Sequence, residues 1–147
     1  MTAKTHSSAA GWSIEGRAGF WATPSFEVAR TRIPLVCASS ITGYWPRQPE
    51  PVRGLTDYIQ HIVDLLTLVP DARLKLEEHA TNGEFVFARW SGYGTGPEGP
   101  FEINGVDRIR VRDGKVIENR IISDASIFEH FARYVADRKK GAPSTGA

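Results

Sequence analysis

The sequence predicts an α+β domain in which a curved antiparallel (mixed) sheet wraps on N-terminal and central helices and encloses a pocket. Three observations lead there. Helical periodicity is strongest from Gly54 to Val69; four strand-like runs then follow from Arg73 to Asp124; and an apolar helical stripe returns after Asp124. Helices, then strands in meander, then a helix segregate the helices to one face of the sheet. A strongly curved sheet leaves a hollow under those helices, the default place for a ligand.

The elements follow in order. Ser13 to Trp21 reads as a short helix carrying Phe20 and Trp21, with Trp12 just before it. Thr23-Pro24 offers an N-cap and an N1 proline for a second helix that runs to about Ile33 and stops at Pro34. Ile41 to Trp45 reads as a short strand closed by Pro46, and residues 47–51 as a proline-rich loop. In the long helix Leu55, Ile59, Ile62, Leu66 and Val69 recur at helical spacing, and Pro70 ends it. Asp57, His61 and Asp64 fall on its other face, which is expected to be solvated. The i, i+4 pair Asp57 and His61 has metal-ligand spacing but no third ligand, so no metal is expected.

Arg73 to Ala80, Glu84 to Tyr93, Phe101 to Arg112 and Lys115 to Asp124 supply the four strands. Asp113-Gly114 and Asn82-Gly83 are hairpin turns, and Thr95 to Pro100 is a longer glycine-proline connection. Asp124 is expected to cap the closing helix, where Ile127, Phe128, Phe131, Tyr134 and Val135 form the apolar stripe.

Composition narrows the functional classes. A chain of 147 residues suits one domain, placed at residues 12–140 between disordered ends at 1–11 and 141–147. The net charge is +1 with both signs interspersed, which leaves no electrostatic footprint for nucleic acid or a membrane surface. Arg108, Arg110 and Arg112 alternate as the solvated face of a strand. Cys37 is the single cysteine, expected as a small buried hydrophobe. No apolar run approaches a membrane span and residues 1–11 lack a signal-peptide core, so a cytoplasmic protein is expected.

The run Asn104 to Arg120, with Asp124 after it, resembles the signature of SnoaL-like, ketosteroid-isomerase-like proteins of the nuclear transport factor 2-like superfamily. Tyr44-Trp45-Pro46, Val52-Arg53-Gly54, Val69 to Leu74, Arg89-Trp90 and Gly94 to Gly96 are similar to earlier landmarks of that group. The resemblance implies a cone-shaped fold, a homodimer and a deep pocket for a small hydrophobic or cyclic organic molecule, with no cofactor. It also implies the activities of that group: polyketide cyclase, isomerase, epoxide hydrolase or dehydratase.

Within that frame Asp107 is the expected polar centre. It shares a strand face with Ile109 and Val111, opposite the arginine ladder, so it should point into the hollow. Among apolar neighbours it would stay neutral and donate a hydrogen bond; beside Arg89 it would be held ionised. Both readings stand. Arg89, Asn119 and Tyr44 are expected to orient the substrate, and Trp12, Trp21, Tyr58, Phe87, Ile109, Ile121 and Ser123 to line the pocket. Trp90 is then expected on the convex face, in an apolar dimer patch.

The acids of the resembled enzymes are missing elsewhere. Residues 41–46 contain none, Ile121 stands where an acid is expected in the last strand, and Arg89-Trp90-Ser91 keeps the arginine of an Arg-x-Asp pattern but not the aspartate. Three functions are therefore expected in turn: an acid–base enzyme on a cyclic or polyketide-like substrate, a non-catalytic binding module, or a dimeric accessory protein.

Overall fold

The computed structural model describes residues 11–146, the side chains of 142–146 excepted. The N-terminal segment expected to be disordered lies, through residue 10, outside the described residues. Helix α1 (Ile14–Ala22) starts where the Ser13 hydroxyl accepts the Gly16 N–H at 3.0 Å. Helix α2 (Phe26–Val36) is capped in the same way by Ser25, which accepts the Val28 N–H at 3.1 Å. The start expected at Thr23-Pro24 is thus displaced. The helix also passes through Pro34: the missing donor falls in the last turn, which the buried Ile33 and Val36 anchor.

Strand β1 (Cys37–Tyr44) follows directly, then the short β2 (Val52–Arg53), helix α3 (Leu55–Leu68), and strands β3 (Arg73–Asn82), β4 (Phe85–Gly96), β5 (Gly99–Arg112) and β6 (Lys115–Ile122). Helix α4 (Ile127–Gly146) closes the chain, so the boundary expected after residue 140 falls inside a helix. Its first amide bonds are accepted by the Ala125 and Ser126 carbonyls, so Asp124 lies outside the cap. The sheet order is β2-β1-β6-β5-β4-β3, with β1 parallel to β6 and every other pair antiparallel.

Turn chemistry fixes the long meander. Asp113 and Gly114 both have positive φ, 53° and 79°, as a two-residue hairpin with the twist of its strands requires. The connection expected to be long between β4 and β5 is instead tight: Gly96 pairs with Gly99 around Pro97 and Glu98, and Gly99 takes φ 104°.

Register decides which residues share a face. Asp107 lies opposite Ala88 on β4 and Ile121 on β6, while Ile109 lies opposite Asn119. Cross-strand partners point the same way, so Ala88, Trp90, Asp107, Ile109, Asn119 and Ile121 all face the concave side, and all are buried. The arginine ladder faces outward. There Arg108 meets Glu118, and Arg110 and Arg112 share Glu84.

Helix α3 carries Tyr58, Ile62 and Leu66 into the core. Its other face was expected to be solvated; Asp57 is exposed there, but α4 covers His61 and Asp64. His61 and Asp64 are each 2% exposed. Asp64 accepts from Arg138 Nε at 2.7 Å and Gln60 Nε2 at 2.9 Å. The His61 ring packs between Trp45 and Phe131, with centroids 5.0 Å away in each case. No helix among the described residues is long and apolar enough to cross a membrane.

Candidate functional site

The concave face of the sheet and the helices enclose a hollow. The centre of a water-sized sphere can move through about 110 Å³ of it. Its walls are mainly aliphatic and aromatic, and all four tryptophans of the chain, Trp12, Trp21, Trp45 and Trp90, reach them.

Asp107 is the polar centre, 4% exposed. Its Oδ2 receives Arg17 Nη2 from α1 at 2.5 Å, and its Oδ1 accepts the Trp90 indole N–H at 2.9 Å. Both oxygens therefore act as acceptors, which is the behaviour of a carboxylate. The neutral, donating acid does not describe this site. The charged alternative holds, but its partner is Arg17 and not Arg89.

Gly105 makes the Trp90 bond possible. A Cβ there would stand 2.2 Å from Trp90 Cζ2, so only glycine lets the indole lie across β5 toward Asp107. Trp90 is 2% exposed, and the outward dimer patch expected around it is not there.

A second polar pair lines the hollow, its Asn119 on the strand next to Asp107. Asn119 Nδ2 donates to the Tyr58 hydroxyl oxygen at 2.9 Å, and the Asn119 Oδ1 is buried with no partner among the described residues. With its oxygen already accepting, the Tyr58 O–H is free to donate into the hollow. Burial pushes the Tyr58 phenol well above its usual range, so it keeps that proton. Gly43 gives the ring room, since a Cβ there would lie 2.8 Å from Tyr58 Cε1. Ile109 and Ile121 supply apolar wall beside the pair, as expected, and Trp12 and Trp21 reach the hollow from the α1 side.

Four expected site residues lie elsewhere. Arg89 is on the convex face, its Nε 2.7 Å from Glu78 Oε2, with 48% of its side chain exposed. Phe87 shares that face and is 38% exposed. Both follow from the strand phase that turns Trp90 inward. Tyr44 lies outside the hollow, its ring 4.0 Å beneath the Arg120 guanidinium carbon. Ser123 lies past the end of β6 and donates to the Asn104 carbonyl at 2.7 Å.

Three functional groups had escaped the sequence reading. Arg17 stands three residues before Phe20 and four before Trp21, so a basic residue within the apolar stripe of α1 was the available signal. Arg32 lines the hollow from α2, one position from the buried Ile33. Trp45 Nε1 is a buried donor without a partner among the described residues. Cys37 also borders the hollow, but burial pushes its thiol up to about 12, so it behaves as a small hydrophobe.

Residues 31–119 match the family model of the SnoaL-like domain. No curated protein matches the chain. Solved structures share the fold. IdmH of Streptomyces antibioticus, provisionally described as a polyketide cyclase, is 23% identical, with 76% of this chain and 88% of that one covered at a TM-score of 0.61. A protein from Jannaschia sp. CCS1, provisionally described as a SnoaL-like polyketide cyclase, is 19% identical over 69% of this chain and 74% of that one, at a TM-score of 0.58. A protein of ketosteroid-isomerase-like fold from Catenulispora acidiphila, solved with trimethylamine, is 12% identical over 77% and 85%, at a TM-score of 0.66. Identities this low establish the shared architecture alone.

Proposed function

The chain belongs to the SnoaL-like domain family, and from that premise we propose that it binds a small cyclic or polyketide-like ketone in the hollow and moves a proton on it. The observation that carries the reading is Asp107, the one carboxylate lining the hollow among the described residues, with both oxygens held as acceptors in an apolar setting.

The roles follow from the geometry. Arg17 holds the Asp107 charge and Trp90 fixes its plane. Each carboxylate oxygen keeps a further lone pair with which to take a proton from a carbon next to a carbonyl. Tyr58 donates to the carbonyl oxygen, where negative charge grows as that proton leaves. Asn119 donates to the Tyr58 oxygen and so aims the phenol hydrogen at the ligand. The enolate then either regains the proton at another carbon, an isomerisation, or forms a carbon–carbon bond to a second carbonyl of the same molecule. In the second case the alkoxide takes the proton back from Asp107, and the product is a ring.

Exchange of α-protons for deuterium, followed by NMR over a panel of cyclic ketones and diketones, reads the first step whatever the product. The protein should accelerate exchange; Asp107→Asn should lower the acceleration by about 10²-fold or more, and Tyr58→Phe by on the order of 10²-fold. Ligands that bind without any accelerated exchange would overturn the enzymatic reading. The binding-module reading would then stand, supported by the double engagement of Asp107 and the lack of an acid at Ile121 and at residues 41–46.

A further inference from the structure

Charge around the hollow is uneven. Arg17, Arg32 and Arg73 line it, against Asp107 alone. Arg17 and Asp107 neutralise each other at contact distance. Arg73 is exposed over the Tyr93 ring, 4.9 Å from its centroid, where water screens it.

Arg32 is different. It is half-buried on α2, and no carboxylate pairs with it among the described residues. Its guanidinium carbon stands 5.9 Å from the centre of the Phe20 ring. Burial pushes its guanidinium below the usual arginine range. A charge partly removed from water without a counter-ion is costly, and an anion in the hollow would offset that cost.

The other free groups point the same way. The Tyr58 O–H and Trp45 Nε1 are donors, and Asn119 Oδ1 is the buried acceptor left over. With the five N–H groups of Arg32 added, free donors outnumber Asn119 Oδ1 and the spare lone pairs of Asp107, inside walls that weaken screening.

We propose that the ligand of the hollow is a flat organic acid bound as its anion, with carboxylate or acidic enol oxygens received by the Arg32 guanidinium. A planar fork of donors suits both oxygens of such a group at once. Asp107 is already neutralised by Arg17, so the anionic end goes to the unpaired Arg32 and the neutral, ketone-bearing end is left to Asp107. The assignment rests on the reading of the hollow as the ligand site.

Two probes of one shape separate the ideas: 2-naphthoate, ionised at neutral pH, and the uncharged 2-naphthamide. Binding to the full chain is read by quenching of the four tryptophans and by calorimetry. The wild-type protein should bind the naphthoate about tenfold more tightly than the amide, a difference of about 1.4 kcal/mol. The ratio should fall to about one in Arg32→Met and to an intermediate value in Arg32→Lys, which keeps the charge but not the fork, with circular dichroism confirming that both variants fold. A ratio near one in the wild type, or one undiminished in Arg32→Met, overturns the anion but leaves the hollow as a ligand site. Failure of both probes to bind overturns the two readings together.

Discussion

Replacing Asp107 with asparagine keeps the shape of the side chain and an acceptor for the Trp90 indole, but strips Arg17 of its counter-charge. Arg17 is 6% exposed, so its guanidinium has little water to turn to. Breaking a buried pair from one side costs about 3–5 kcal/mol, a large part of the roughly 5–15 kcal/mol that holds a domain together. With a urea slope of about 2 kcal/mol per M, the midpoint should fall by about 1.5–2.5 M. The double variant Arg17→Met/Asp107→Asn removes both charges and keeps the Trp90 acceptor. It should recover most of the loss, because a buried ion pair is often no better than an apolar replacement of similar volume. The assay is urea unfolding followed by far-ultraviolet circular dichroism, with the two single variants and the double completing a cycle. The slopes are compared to confirm that the unfolded states match. A loss below about 1 kcal/mol in Asp107→Asn, the range of an exposed pair, would refute the reasoning. So would a double variant no more stable than the single.

Two further outcomes test the packing around the hollow. Burial, followed by the charges of Lys139 and Arg138, pulls the His61 imidazole down to about 4. Between that value and the ordinary 6.5, the unfolded chain binds a proton that the folded chain refuses. Stability should therefore be full above pH 6.5 and fall by about 3 kcal/mol as pH drops toward 4. Urea midpoints across that range should lose this limb in His61→Leu; an unchanged limb counts against a buried neutral imidazole. Gly105→Ala should drive Trp90 off Asp107, costing about 1–3 kcal/mol and altering the near-ultraviolet circular dichroism. A wild-type spectrum and stability would show that the indole does not cross β5 where described.

The direction of Asp107 was legible because β5 alternates cleanly: Ile109 and Val111 mark one face and three arginines the other. Strand β4 carries no such mark. Phe85 and Phe87 make its outer face look apolar, while its inner face runs Ala88, Trp90, Gly92, Gly94 and hides its burial behind small residues. There the glycines are packing positions: a Cβ at Gly94 would lie 2.6 Å from Val69 Cγ1. Hydrophobicity alone therefore assigns the wrong phase, and with it the wrong places for Arg89, Phe87 and Trp90. The burial of His61 and Asp64 is a tertiary effect, set by α4 crossing a face whose own sequence is polar. The choice of Arg17 over Arg89 as partner of Asp107 depends on how α1 docks, and no local pattern states that.

The bond between Arg17 and Asp107 joins residues 90 positions apart. At ordinary rates of translation the ribosome needs on the order of ten seconds to cover that stretch. Through that interval α1 has no mate for its guanidinium, and the chamber it will roof has no floor. Helix α1 is thus made well before the carboxylate that neutralises its guanidinium, and it can take its final seat only once β5 has left the ribosome.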